Sequence, residues 1–119
     1  MEIALWIVSG LLALANLFVG SMKVVRPKEA LVTRMAWAGD FSPLQLKAIG
    51  ALEIAGALGL ILPRLTGILP WLSVAAAFGL AILQLVALTV HVRRKETFVP
   101  NLVLAALALF VGIGLLVAG

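Results

Sequence analysis

A chain of 119 residues that is 64% hydrophobic and 12% charged, with a mean hydropathy of +1.22, has more apolar surface than a soluble core of that length can bury; soluble domains average roughly 45–50% apolar and about 25% charged. It reads as an integral membrane protein, and the absence of cysteine excludes disulfides, thiolate metal sites, iron–sulfur ligation and thiol redox chemistry. The net charge of +4 sits beside apolar segments and not in a basic domain, which points to anionic lipid headgroups and excludes nucleic acid as the expected partner.

One spanning helix takes about 20 apolar residues, so the sequence accommodates about four, with no room for a separate soluble domain. Met1 and Glu2 lead straight into an apolar span without the positive region of a signal peptide, so the first segment is expected to be retained. Span one is predicted over about residues 3–22, with Trp6 as an interfacial anchor and Ser9 and Asn16 as its polar interruptions. The stretch KVVRPKEALVTRMAWAGDFSP follows, and reads as one short interfacial helix with Pro27 in its first turn and Gly39 at its end. Leu31 and Met35 share a face of that helix, whereas Trp37 falls nearer the opposite side.

Span two is predicted over about residues 43–62, ended by Pro63, with Arg64 to Gly67 as a tight turn. Span three, about 68–92, starts with Pro70 and Trp71, where proline costs little, and carries Gln84, Thr89 and His91 toward its end. After Arg93, Arg94, Lys95 and Glu96, span four covers about 98–117. The expected fold is therefore an all-α, four-helix transmembrane bundle with a short interfacial helix between spans one and two, in a single domain. Connections one-to-two and three-to-four, with the adjoining start of span two, hold Lys23, Arg26, Lys28, Arg34, Lys47, Arg93, Arg94 and Lys95, against Arg64 alone on the other side. That bias predicts a multi-pass cell-membrane protein with both termini outside and the basic connections in the cytoplasm.

The residue that demands explanation is Glu53, in the middle of GALEIAGALGLILP. A carboxylate at that depth costs roughly 2.5–3.5 kcal/mol on insertion scales and is by default a functional-site hypothesis. Counted from the cytoplasmic ends of the spans, Asn16 and Gln84 lie roughly 10 Å deep and Glu53 roughly 15 Å, with Lys23, Lys47, His91 and Asn101 near the rim. Asn16 with Lys23, and Gln84 with His91, are each seven residues apart and share a helical face, so both stripes can converge on Glu53. This describes a polar pocket in the cytoplasmic half, closed outward by Leu, Ile and Val.

Plainer readings stand beside these. Asn16 and Gln84 also fit interhelical hydrogen bonds worth about 0.6 kcal/mol; Lys23, Lys47, Arg93 and Arg94 fit snorkelling to headgroups; His91 fits a rim position beside Arg93. Glu53 fits an ion pair with Lys23 or Lys47, or a ligand, proton or substrate role. Small residues at spacing four, namely Ala51, Ala55 and Gly59, then Ser73, Ala77 and Ala81, then Ala108 and Gly112, indicate close helix packing.

The segments GSMKVVRPKEAL, GALEIAGALGLILP and HVRRKETFVPNLVLAALAL, in that order and spacing, resemble the DoxX-like family of small four-helix membrane proteins over nearly the whole chain. The resemblance marks Lys23, Glu53, His91 and Arg94 as the matching polar positions and Pro63 as the matching end of span two. It implies a link to the membrane part of thiosulfate:quinone oxidoreductase or, through a eukaryotic relative, to assembly of receptor channels. The cysteines of some longer members are absent here, which leaves quinone or lipid binding as what the resemblance implies.

Three functions follow. The first is an accessory membrane protein, not an enzyme on its own, that binds a lipophilic small molecule such as a quinone at Glu53, Lys23, His91, Gln84, Asn16 and Arg94. The second is a small proton-coupled transporter in which Glu53 exchanges protons with a cationic substrate; the position of the carboxylate in span two and the one-sided charge count against an antiparallel exporter. The third is a scaffold or assembly chaperone for other membrane proteins. No metal is expected, and one histidine rules against haem held by two within the chain. A second copy of the chain fits as a partner, as do other membrane proteins.

Overall fold

The computed structural model describes residues 2–69 and 71–118. Its helices are α1 (Glu2–Val25), α2 (Lys28–Arg34), a 3₁₀ helix (Ala36–Asp40), α3 (Pro43–Thr66), α4 (Trp71–Arg93) and α5 (Val99–Ala118). Four of them, α1, α3, α4 and α5, are long and apolar enough to cross a membrane. They close into a ring in which α1 packs on α3, α3 on α4, α4 on α5 and α5 back on α1. With alternating directions this is an up-and-down four-helix bundle, and its 42 Å long dimension matches a bilayer with its headgroup regions.

Helix ends follow from local chemistry. α1 continues past the expected Met22 to Val25, because the residue that disfavours helix is Arg26, which precedes Pro27. Lys23 therefore stays in the helix, on the buried face of Asn16 and Gly20. α3 starts in a capping box: the Ser42 hydroxyl accepts from the Gln45 N–H at 3.1 Å, and the Gln45 side chain accepts from the Ser42 N–H at 2.9 Å.

The expectation that Pro63 ends span two is corrected. α3 runs through it to Thr66 and stops at Gly67, whose φ of 75° is left-handed. A proline inside a helix leaves the carbonyl four residues earlier without a donor. Here that carbonyl belongs to Gly59, and the Ser73 hydroxyl of α4 donates to it at 2.9 Å. The neighbouring helix satisfies the orphaned group, as a lipid-embedded backbone requires.

Pro70, expected in the first turn of span three, lies outside the described residues. α4 begins at Trp71 and not at Ile68, since Gly67 (φ 75°) and Leu69 (φ 47°) hold the backbone out of the helical region. The interfacial segment is likewise two pieces and not one helix. Pro27 is the N-cap of α2 instead of its first turn, and Met35 breaks the run with φ −129° and ψ 87°. That break turns Trp37 onto the side of Met35, where both pack with Met22 and Phe41 against buried Leu31, Ala38 and Leu46.

The bundle core is Leu12, Leu60, Ala77, Leu80, Ala81, Ala108 and Val111. Of the small-residue positions expected on span two, Ala51 and Ala55 face outward. The buried face of α3 is Leu46, Gly50, Glu53, Ala57, Leu60 and Pro63.

Candidate functional site

The site begins at a backbone contact. α1 and α3 cross at Gly20 and Gly50 so closely that a Cβ on Gly20 would stand 2.7 Å from the Gly50 carbonyl oxygen, and one on Gly50 2.6 Å from that of Gly20. Three residues beyond each glycine stand Lys23 and Glu53, and their side chains meet at 2.6 Å, 7% and 6% exposed. The partner of Glu53 is therefore Lys23, whose long stem carries its ammonium inward; Lys47 is exposed.

The 3₁₀ helix covers this pair. The Trp37 ring lies 5.0 Å from the Lys23 ammonium, within cation–π range, and meets His91 edge-on at 6.0 Å and Phe41 edge-on at 5.6 Å. Gln84 of α4 accepts from the Asn101 side-chain amide of α5 at 2.9 Å. Asn16 donates to the Leu12 carbonyl of its own helix at 2.8 Å. Between these groups lies a cavity of about 250 Å³, bordered by Asn16, Lys23, Glu53, Gln84, His91 and Asn101 and walled by Met35, Trp37, Phe41, Ile49, Leu83, Val90 and Leu104 among others. This is the mix of mostly apolar walls and a few convergent polar groups typical of small-molecule sites.

Five of the six candidate residues, Glu53, Lys23, His91, Gln84 and Asn16, border the cavity; Arg94 does not. Arg94 lies at the rim, where it donates to Asp40 of the 3₁₀ helix at 2.7 Å and to Glu96 at 3.3 Å. The bond to Asp40, then that to Glu96, raise the guanidinium above its ordinary pKa, so it stays charged. Glu96 also meets His91 Nδ1 at 3.1 Å. Arg94 thus ties the covering segment to the α4–α5 connection.

Sequence reasoning missed Trp37, Met35 and Phe41 as cavity walls and placed Asn101 only at the rim. The available signal was the phase of Trp37, which does not fit one helix with Leu31 and Met35 and so marks a break. Among the described residues no cluster of His, Asp and Glu suits a metal ion.

The opposite end of the bundle is built otherwise. Arg64 donates to Glu2 at 2.6 Å and its guanidinium stacks 4.0 Å from the Trp6 ring. Trp6, expected as an interfacial anchor, carries a cation there.

Neither the curated proteins nor the solved structures contain a match to this chain. A family model does match: that of the DoxX-like family aligns with residues 7–113. It takes in most of α1, the covering segment, all of α3 and α4 and every side chain of the cavity, and the chain therefore belongs to the DoxX-like family.

Proposed function

We propose that this protein holds a lipophilic ligand, a quinone or a lipid, in the cavity around Glu53, as an accessory subunit of a membrane redox system. The observation that carries this reading is the convergence of Lys23, Glu53, Gln84, Asn101 and His91 on one apolar cavity of about 250 Å³. A cavity of about 150 Å³ already suffices for benzene, so the head of such a ligand fits while its tail runs into the bilayer. Lys23 has N–H donors beyond the one bonded to Glu53, and an ammonium has three. Those donors and the Trp37 ring suit a planar head that bears carbonyl oxygens. A bound quinone would supply two-electron chemistry. The chain's part would be to orient the head and to hold protons at the Glu53 carboxylate and the His91 imidazole, with electrons delivered by another subunit. Glu53, Lys23, His91, Gln84 and Asn16 are the binding residues of this reading, and Arg94 supports it from the rim.

The lysine and arginine distribution supports an orientation with both termini outside and the cavity in the cytoplasmic half. A second reading, a scaffold for other membrane proteins with the polar cluster as an internal lock, draws on the closed Lys23–Glu53 pair, which is complete without a ligand. Proton-coupled transport ranks behind both, since Lys23 already supplies the charge that a cationic substrate would bring.

The test is mass spectrometry of small molecules extracted from protein purified in mild detergent, wild type beside Glu53→Gln. One quinone or lipid per chain in the wild type, depleted in a folded variant, is the expected result. Retention of nothing specific by either protein overturns the binding reading and leaves the lock.

A further inference from the structure

The charge inventory of the cavity selects the head group of its occupant. Glu53 and Lys23 are the two oppositely charged groups at its floor, each more than nine-tenths buried and bonded to the other at 2.6 Å, so the floor has no net charge. Gln84, Asn101 and Asn16 are neutral amides. Among the described residues the remaining titratable lining group is His91, which faces Glu96 from the α4–α5 connection; Glu96 in turn meets Arg94, and Arg94 meets Asp40. Two carboxylates, Glu96 and Asp40, stand against Arg94 and His91 in that rim cluster. The cluster therefore has no surplus positive charge whether His91 is protonated or neutral.

An anionic head would then enter a buried space with no free cation among the described lining residues to receive it, and a cationic head would find the floor carboxylate already paired. Desolvating an unpaired ion costs several kcal/mol. A neutral head with hydrogen-bonding oxygens meets no such cost, and finds the remaining Lys23 donors and the amides of Gln84 and Asn101.

Resting on the ligand-binding reading above, we propose that the Lys23–Glu53 pair is a charge-cancelling specificity filter: the site takes amphiphiles with neutral, hydrogen-bonding head groups and rejects phosphate, sulfate, carboxylate and ammonium heads. Removal of one partner then does more than weaken binding; it changes the sign of the head group accepted. Glu53→Gln leaves Lys23 as a surplus cation, and Lys23→Gln leaves Glu53 as a surplus anion.

The experiment is native mass spectrometry of the intact protein in zwitterionic micelles with equal amounts of decyl alcohol, decyl sulfate and decyltrimethylammonium, which share a tail and differ in fixed head charge. The wild type is expected to carry decyl alcohol about 10-fold over either ion, the ratio that 1.4 kcal/mol produces. Glu53→Gln is expected to shift the preference to decyl sulfate, and Lys23→Gln to decyltrimethylammonium. The exchanged pair, Lys23→Glu with Glu53→Lys, restores the neutral preference and keeps the test open if a single variant fails to fold. Equal or greater wild-type occupancy by decyl sulfate or decyltrimethylammonium overturns the filter while the cavity stands. Occupancy by none of the three overturns the filter and the binding reading together.

Discussion

The two ends of this bundle are made from the same four helices and reach different ends. Around Leu60, Ala77, Leu80, Ala108 and Val111 the helices close on small and aliphatic side chains. A Cβ on Gly112 would already stand 3.0 Å from the Phe78 ring, and one on Gly59 2.9 Å from the Ala76 methyl. At the other end the same helices border a cavity of about 250 Å³, with Trp37 and Phe41 of the covering segment as part of its wall. The difference lies in what each end places on its inner face. Alanine, glycine and leucine let the helices meet; Asn16, Lys23, Glu53 and Gln84 hold polar atoms inward, where Lys23 and Glu53 satisfy one another, Asn16 bonds the Leu12 carbonyl and Gln84 accepts from Asn101. A membrane bundle that packs through small residues at one end can keep a polar space at the other without losing its shape.

Substitutions that break this contrast can be ranked. The largest effect is expected from Lys23→Met or Glu53→Leu alone, since each strands the other charge out of water; removing one partner of a buried pair costs about 3–5 kcal/mol. The double variant Lys23→Met, Glu53→Leu should recover most of that stability, because well-packed apolar replacements of buried pairs are often neutral. Thermal unfolding in one detergent reads all three. A double variant no better than the singles would show that the pair does not act as a unit.

Next is the crossing beneath the pair. Gly50→Ala puts a methyl 2.6 Å from the Gly20 carbonyl and 2.8 Å from the Lys23 Cβ, so α1 and α3 must part, at about 1–3 kcal/mol by the usual cost of overpacking. Gly10→Ala meets nothing within 4 Å and should be neutral or gain about 0.5–1 kcal/mol from helix propensity. The contrast sharpens the comparison, because it separates a glycine needed for close approach from one that is not. Unfolding of the two variants side by side checks it; equal effects would deny the close crossing its role.

The smallest effect on stability is expected at the rim. Asp40→Asn removes the carboxylate that Arg94 holds, but the Asp40 side chain is 54% exposed, and exposed pairs are worth at most about 1 kcal/mol. Its consequence should appear instead in Trp37, whose emission, read with Trp6→Phe and Trp71→Phe in place, reports on the covering segment. An unchanged emission would show that Arg94 does not hold that segment.

Much of this was legible in the sequence, and the parts that were not have physical reasons. The spans followed from apolar length, and Glu53 from the cost of burying it. The facing stripes of Asn16 with Lys23 and Gln84 with His91 followed from helical spacing. The run of α3 through Pro63 was hidden because its remedy, the Ser73 hydroxyl on the Gly59 carbonyl, comes from another helix. The outward faces of Ala51 and Ala55 were hidden for a similar reason: spacing four gives a stripe without saying which neighbour it meets. Trp37 became a wall of the cavity only through the backbone break at Met35; its misfit phase marked a break without saying which way the ring would turn. Arg94 was singled out only by the family resemblance, and its bond to Asp40 joins positions 54 apart in the chain.

The proposed ligand-binding role needs the cavity and not the ion pair alone. Ala87 borders the cavity, and Ala87→Phe fills it while Lys23 and Glu53 stay paired. Mass spectrometry of the molecules retained by purified wild type and Ala87→Phe separates the two. One lipophilic molecule per chain in the wild type, lost from a folded Ala87→Phe, is the expected result. Full retention in the filled variant, or no specific molecule in the wild type, would contradict it.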